Sequence, residues 1–119
     1  MTVVYVALGG AVGVLARYAL GTAVAADTLP WLTVAINVAG SFLLGCLVTA
    51  GDHLSPELRT GLAVGLLGGF TTFSTFSVQI FVDLESGNGG KAAAYFLASV
   101  ALGVAAAAAG YYAGRALAR

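Results

Sequence analysis

A polar, glycine-led segment interrupts one of the apolar stretches of this chain. Residues 71–77 carry five hydroxyl side chains in seven positions, and they follow directly after Gly68, Gly69 and Phe70. Glycine and threonine are weak helix formers, so the pattern predicts a helix that breaks near here. Non-helical backbone at membrane depth survives only where it is buried in protein or lines a cavity, and its free carbonyls can coordinate a cation. The segment is therefore a candidate for part of an ion path.

Two phenylalanines, Phe73 and Phe76, lie within the same segment. Because they are three residues apart, they lie on similar faces of a helix. An aromatic ring has a positive edge, and such an edge can face an anion. The ordinary alternative is an apolar pair packed in a core, and the spacing alone leaves both interpretations open.

Polar side chains share one face in two other apolar stretches. Thr33, Asn37 and Ser41 are four residues apart, and so are Tyr95 and Ser99. Asn37 is the most costly of these in lipid, since its amide needs partners; it either bonds a neighbouring helix or donates to an anion or water. Tyr95 and Ser99 either relay hydration to an ion, or pack at the interface and bond back to their own helix.

These side chains require elements that carry them across a bilayer. The chain has 119 residues, 60% hydrophobic and only 8% charged, whereas a soluble domain carries roughly 25% charged residues. Residues 28–51, 60–82 and 92–114 contain no charge, and Arg17 is the only charged residue before Asp27; each of these stretches is long enough to cross a hydrocarbon core. We therefore predict a single all-α membrane domain, 1–119, with four spans at about 3–24, 31–50, 56–82 and 90–117. Net charge is zero and no basic patch exists, so nucleic acid is not an expected partner.

The distribution of basic residues gives only a weak orientation signal. Four spans place both termini and the loop between spans 2 and 3 on one side, which holds Arg59, Arg115 and Arg119; Lys91 lies on the other, with Arg17 nearer to it. Charge alone leaves a fixed and a dual topology open. Stripes of small residues favour close helix packing, and four short helices enclose little interior. We therefore expect an oligomer if the protein moves a polar solute.

The acidic residues bear on competing functions. A proton-coupled antiporter of the small multidrug type needs a membrane carboxylate, but all five acidic residues lie outside the charge-free cores, with Asp83 and Glu85 read as solvated at the end of span 3. A purely structural subunit would leave the polar faces and the broken span without a reason. No nucleophile–base pair or metal triad is visible, so an enzyme is not expected.

Three motifs together are typical of one known family. They are Gly9-Gly10-x-x-Gly13-x-x-x-Arg17-Tyr18, then Asn37 followed by Gly40-Ser41-Phe42, and Gly68-Gly69-Phe70-Thr71-Thr72-Phe73-Ser74-Thr75-Phe76. Over its whole length the chain closely resembles the CrcB/Fluc family of fluoride channels. The resemblance implies an antiparallel, dual-topology dimer with two fluoride pores, and a third span broken near its middle.

The resemblance also implies roles for individual residues in the pore. Phe73 and Phe76 would present their ring edges to fluoride, and Asn37 would donate to the ion from its amide. Tyr95 and Ser99 would belong to a polar track on span 4. In some members of the family this track continues with another serine, where this chain has a glycine at position 103.

A structural sodium ion is a further implication of the resemblance. It would lie at the dimer interface, held by the backbone carbonyls of Gly68 and Thr71 from each subunit. Arg17 matches the arginine of the family's first span. It either attracts anions in a vestibule or anchors its helix, and the sequence leaves both open.

The expected function is passive, fluoride-selective export that relieves fluoride toxicity in the cytoplasm. The partners would be fluoride, the lipid bilayer and a second copy of the chain or a sister paralogue. The location would be the inner (plasma) membrane of a prokaryote, with several spans. Selectivity would come from donors and ring edges that replace a tightly held hydration shell.

Overall fold

The computed structural model describes residues 1–119 and is all-helical. Four helical stretches are long and apolar enough to cross a membrane: Thr2–Thr22, Leu29–His53, Pro56–Glu85 and Gly89–Leu117. We label the helices α1 (Thr2–Thr22), α2 (Leu29–Ala50), α3 (Pro56–Thr60), α4 (Gly68–Phe70), α5 (Ser74–Glu85) and α6 (Gly89–Leu117). A 3₁₀ turn, Gly51–His53, extends α2, and a π-helical segment, Gly61–Leu67, joins α3 to α4. Each predicted span falls on one of the four stretches, and the ends differ by a few residues.

The third stretch begins with a serine cap followed by proline, a combination typical of helix starts. The Ser55 hydroxyl accepts a hydrogen bond from the Leu58 N–H at 3.2 Å, and Pro56 occupies the first turn, where its missing N–H costs nothing. Arg59 then ties this helix back to the end of α2. Its guanidinium donates to the Asp52 carboxylate and to the Val48 carbonyl, each at 3.0 Å.

Glycines allow the helix backbones to approach closely. α2 packs along α6, and α1 packs along the π-helical segment and α4. A Cβ atom at Gly110 would collide with the Phe42 carbonyl oxygen, and one at Gly13 would collide with the Leu66 carbonyl oxygen. Such contacts supply the dispersion and weak polar attraction that hold helices together in lipid, where burial of apolar surface supplies little.

The third stretch leaves helical geometry after its glycine pair. Gly68 and Gly69 lie inside α4, Thr71 is extended with ψ of 161°, and α5 begins only at Ser74. The interruption therefore lies at residues 71–73, after the glycine pair, and not at the glycines themselves. This is so although glycine has a lower helix propensity than threonine. The π-helical turn before it was not predicted from the sequence.

The isolated chain buries little of itself. Only 16 of 119 residues are buried, and Tyr95 is the one large side chain that is fully enclosed. It belongs to a small core with Val34 and Phe76. Most other large apolar side chains point outward, as expected for helices that face lipid or a second chain.

One prediction about charge is wrong. Asp83 is not solvated: its side chain is only 14% exposed, and its Oδ2 atom is buried. The turn after α5 is tight, with the Asn88 N–H bonded to the Asp83 carbonyl at 2.8 Å and Gly87 at a φ of 78°. The hairpin therefore folds α6 back over this carboxylate. Glu85, two residues further on, is exposed.

The close packing of α2 on α6 can be tested with a matched pair of alanine substitutions. Gly110→Ala places a methyl group against the Phe42 carbonyl, so we expect the free energy of unfolding to fall by about 1–3 kcal/mol. Gly103→Ala is the control, because the nearest atom to its new Cβ is the Ser41 Oγ at 4.0 Å. Thermal unfolding in detergent measures both. Equal unfolding temperatures for the two variants would contradict the packing argument.

Candidate functional site

The side chain of Asn37 takes the place of a missing helix partner at the interruption. Its Nδ2 donates to the Thr72 carbonyl and its Oδ1 accepts from the Thr72 N–H, both at 2.9 Å. The amide thus satisfies both backbone polar groups of one residue that lies outside any helix. A backbone group left unpaired at this depth would cost several kcal/mol, on the order of its full desolvation. Asn37 therefore stabilises the interruption directly.

Two backbone N–H groups of this segment, those of Thr72 and Thr75, bond side chains, and this leaves backbone carbonyls on the preceding turn free. In a continuous helix the Thr72 N–H would bond the Gly68 carbonyl, but here it bonds Asn37. The Thr75 N–H bonds the Thr72 hydroxyl at 3.3 Å and not the Thr71 carbonyl. The carbonyls of Gly68 and Thr71 therefore lack the amides that would cover them.

Arg17 donates a hydrogen bond to the carbonyl of Gly69, the residue after Gly68. Its Nε donates to the Gly69 carbonyl at 3.3 Å, which links α1 to the interruption. Arg17 lines a pocket with Tyr18, Thr72 and Thr75, separate from the cleft that contains Asn37. Of the two roles that the sequence left open, this geometry favours the anchor. The bond also explains why a charged residue lies within α1.

An open cleft of about 450 Å³ collects most of the residues singled out from the sequence. Its lining includes Asn37, Gly68, Thr71, Phe73, Phe76 and Ser99, together with Gly40, Ser41 and Gly103. Tyr95 and Arg17 are not on its surface. The cleft runs between α2, the interruption and α6, so three stretches of the chain contribute to it.

The two phenylalanines differ in their surroundings. Phe76 is 7% exposed and packs against Tyr95 with ring centroids 5.2 Å apart. Phe73 is 77% exposed, and its ring centroid lies 5.9 Å from that of Phe76 at an angle of 58°. The interpretation as a packed core pair therefore fits Phe76 alone. Phe73 leaves a large aromatic face uncovered at the edge of the cleft.

Two hydroxyl groups on α6 are buried without a hydrogen-bond partner. They are the Ser99 Oγ and the Tyr95 Oη, of which the Tyr95 hydroxyl lies beside the Thr33 side chain, just outside ordinary hydrogen-bond geometry. Ser99 thus does not bond back to its own helix, which was the alternative interpretation of this residue. A buried hydroxyl without a partner costs about 1–3 kcal/mol. A ligand that accepts hydrogen bonds would recover that cost, so the pair is suited to an anion.

Sequence reasoning missed two contributors, Thr72 and Gly40. Thr72 supplies the backbone groups that Asn37 bonds and the hydroxyl that covers the first turn of α5. A Cβ at Gly40 would collide with the Thr71 Cγ2, so the glycine leaves room for the Thr71 side chain against α2. Gly40 belongs to a motif visible in the sequence, whereas nothing there pairs Thr72 with a residue 35 positions earlier.

Comparisons with known proteins agree on one family. Residues 4–111 match the family described as CrcB-like protein, Camphor Resistance (CrcB). A relative from Rhodospirillum centenum, named fluoride-specific ion channel FluC, is 46% identical over 120 residues, covering 96% of this chain and 92% of the relative. Proteins of the same name from Geobacter sulfurreducens and Thermus thermophilus are 49% and 46% identical, covering 85% and 94% of this chain and 86% and 94% of their own lengths.

The two hydrogen bonds between the Asn37 side chain and the Thr72 backbone predict that substitution of Asn37 has a local effect at Thr72. Asn37→Leu removes both hydrogen bonds, so we expect the Thr72 amide to exchange its hydrogen at least about tenfold faster. Ser41→Ala is the control, since Ser41 lies one turn further along the same face and lines the cleft. Hydrogen–deuterium exchange in detergent measures both variants. Unchanged protection of the Thr72 amide in Asn37→Leu would show that the bonds do not hold the interruption.

Proposed function

This chain belongs to the CrcB-like family, and from that premise we propose that it is a fluoride-selective ion channel that exports fluoride passively from the cytoplasm. It is a channel and not an enzyme. The observation that carries the proposal is the cleft in which Asn37, Phe73, Phe76 and Ser99 meet beside the interruption. Fluoride holds its water tightly, so a selective path must offer replacement contacts at close range.

The residues around the cleft offer the donors that such a path needs. The Asn37 amide has two N–H groups and spends one on Thr72, so one remains for an anion. The unpartnered hydroxyl of Ser99 adds a donor on α6, and the Tyr95 hydroxyl, which lies beside Thr33, adds a second. The rings of Phe73 and Phe76 add positive edges without a fixed charge. An anion moving along this face would exchange water for these contacts in turn.

We propose that Tyr95 and Ser99 continue the path beyond Phe76. Tyr95 is not on the surface of the cleft, but its ring contacts the ring of Phe76. Tyr95 therefore lies next to the second phenylalanine and outside the cleft lining. The series of hydroxyl groups on α6 ends at Ser99, because the next residue on this face that lines the cleft, Gly103, has no side chain. Ser41, which lies 4.0 Å from the Cβ position of Gly103, stands where a donor could take over.

The functional unit is an antiparallel, dual-topology dimer of two copies. Support comes from the open cleft on a single chain, from the uncovered ring of Phe73 and from the weak bias of basic residues. A second chain that covers the cleft would exclude lipid and complete the wall of each pore. A pair formed with a sister paralogue is the alternative that reconstitution of this chain alone tests. The protein has several spans, and we place it in the inner membrane of a bacterium.

A structural sodium ion fits the carbonyls that the interruption leaves free. The carbonyls of Gly68 and Thr71 lack their helix amides, and Gly68 is exposed at the surface. Two copies meeting here would bring four such oxygens together, which are the hard ligands that sodium prefers. When bound, the ion would contribute a positive charge close to the anion path.

Fluoride efflux from liposomes that hold this protein alone tests the function. Wild-type protein should release fluoride and retain chloride. Phe73→Ile and Phe76→Ile should each reduce efflux to the leak of protein-free liposomes, because an aliphatic side chain has no positive edge. Phe81→Ile is the control, since Phe81 is 62% exposed and does not line the cleft.

Dimer formation by each phenylalanine variant should be checked by cross-linking. Wild-type rates in both Phe73→Ile and Phe76→Ile would remove the ring-edge mechanism. Chloride passing as readily as fluoride, or no fluoride efflux from well-folded wild-type protein, would remove the homodimeric channel.

The sodium site predicts a cation-specific effect on the assembly. Protein prepared in a large organic cation should gain thermal stability when sodium is added, by about 2.7 kcal/mol at a concentration one hundredfold above the dissociation constant. The same concentration of the organic cation is the control for ionic strength. Equal unfolding temperatures in both salts would contradict a structural sodium site.

A further inference from the structure

A pair of opposite charges lies at the outer end of the polar face of α6. Lys91 precedes Tyr95 by four residues, as Tyr95 precedes Ser99, so the three side chains lie on one helix face. Lys91 is the third residue of α6, which is longer than the hydrocarbon core requires. Its ammonium group therefore lies at the membrane surface, half exposed, where the unpartnered hydroxyls of this face begin.

The partner of Lys91 is the buried carboxylate of Asp83. The Lys91 Nζ lies 3.9 Å from the Asp83 Oδ1, which is longer than a direct hydrogen bond. The other oxygen, Oδ2, is buried with no partner. The charge of Asp83 is thus only loosely compensated, and its partner Lys91 lies one helix turn before Tyr95.

The pocket around this pair has an unfavourable charge for an anion. It has a volume of about 190 Å³, and its charged lining residues are Asp27, Asp83 and Lys91. Two carboxylates and one ammonium sum to a net charge of −1. Without Lys91 the sum would be −2. A path that takes up fluoride at this end depends on its one local cation, since charge at a narrow mouth sets the local anion concentration.

We propose that Lys91 attracts fluoride at this end of the path, and that Asp83 positions its ammonium group and tunes the rate of uptake by partly offsetting its charge. The inference rests on the proposed channel function and adds to it a charged residue pair outside the pore. Residues deeper in the path set selectivity, so the pair changes the rate of permeation and leaves chloride exclusion unchanged.

A merely structural ion pair would behave differently. If Lys91 and Asp83 only clamp the hairpin between α5 and α6, removing either residue would weaken the protein and lower flux in the same direction. If they act through charge, the two substitutions have opposite effects on flux. The sign of the change therefore separates the two roles.

The test is a series of neutral substitutions in the full-length protein, with fluoride efflux measured at subsaturating fluoride and low ionic strength. Lys91→Met makes the pocket charge −2, Asp83→Asn makes it 0, and the double variant restores −1. We expect Asp83→Asn to exceed wild type and Lys91→Met to fall below it, each by about two- to fivefold, with the double variant near wild type. Lys91→Arg should retain the wild-type rate.

Two controls complete the series. Glu85→Gln removes an exposed carboxylate that does not line the pocket, and it should leave efflux unchanged. An inert salt at about 1 M, where the screening length is about 3 Å, should bring all variants close to the wild-type rate.

Each outcome has one meaning. Opposite changes that vanish in high salt support the proposal. Reduced flux in both single variants, or equal flux in all of them, overturns it while wild-type efflux still stands. Absence of fluoride efflux from wild-type protein would instead overturn the channel function itself.

Discussion

A backbone amide or carbonyl inside a bilayer must find a partner within the protein, and this requirement organises the third membrane stretch. A helix meets it automatically, and an interrupted helix does not. Here the deficit at residues 71–73 is met by side chains from other helices. Asn37 bonds both backbone groups of Thr72, and Arg17 bonds the carbonyl of Gly69. The interruption exists because polar groups on α1 and α2 are placed to satisfy it.

The same requirement explains why small residues surround the interruption. A side-chain amide spans only a short distance, so α2 must lie against the broken segment. Gly40 permits this approach to Thr71, and Gly13 lets α1 reach the turn before it. A larger residue at Gly40 would meet the Thr71 side chain, and one at Gly13 would meet the backbone of Leu66 and Phe70. At these two positions glycine allows neighbouring helices to approach the third stretch closely, and its role is not to make a helix flexible.

The four long apolar helices could be predicted from the sequence, but the pairing of polar groups between them could not. Charge-free stretches and the Ser55-Pro56 start are local signals, so the four stretches could be predicted. The double bond between Asn37 and Thr72 joins residues 35 positions apart, and only the packing of α2 reveals it. The glycine pair suggested a break at residues where the structure remains helical, because the bonds that end the helix come from outside it.

The burial of Asp83 shows the same limit for charges. The sequence places Asp83 three residues before a loop, and a carboxylate so close to a loop is expected to be solvated. The tight turn through Gly87 folds α6 back at once and encloses it.

Several groups without hydrogen-bond partners lie at or near the interruption and on the facing helix α6. The carbonyls of Gly68 and Thr71 have spare acceptor capacity, and the hydroxyl of Ser99 has a spare donor. Acceptors favour a cation and donors favour an anion, so the two sets call for ions of opposite sign. A chain alone in lipid would leave both sets uncompensated, at a cost of about 1–3 kcal/mol for each buried group. In the proposed dimer, the second copy and the bound ions would relieve that cost together.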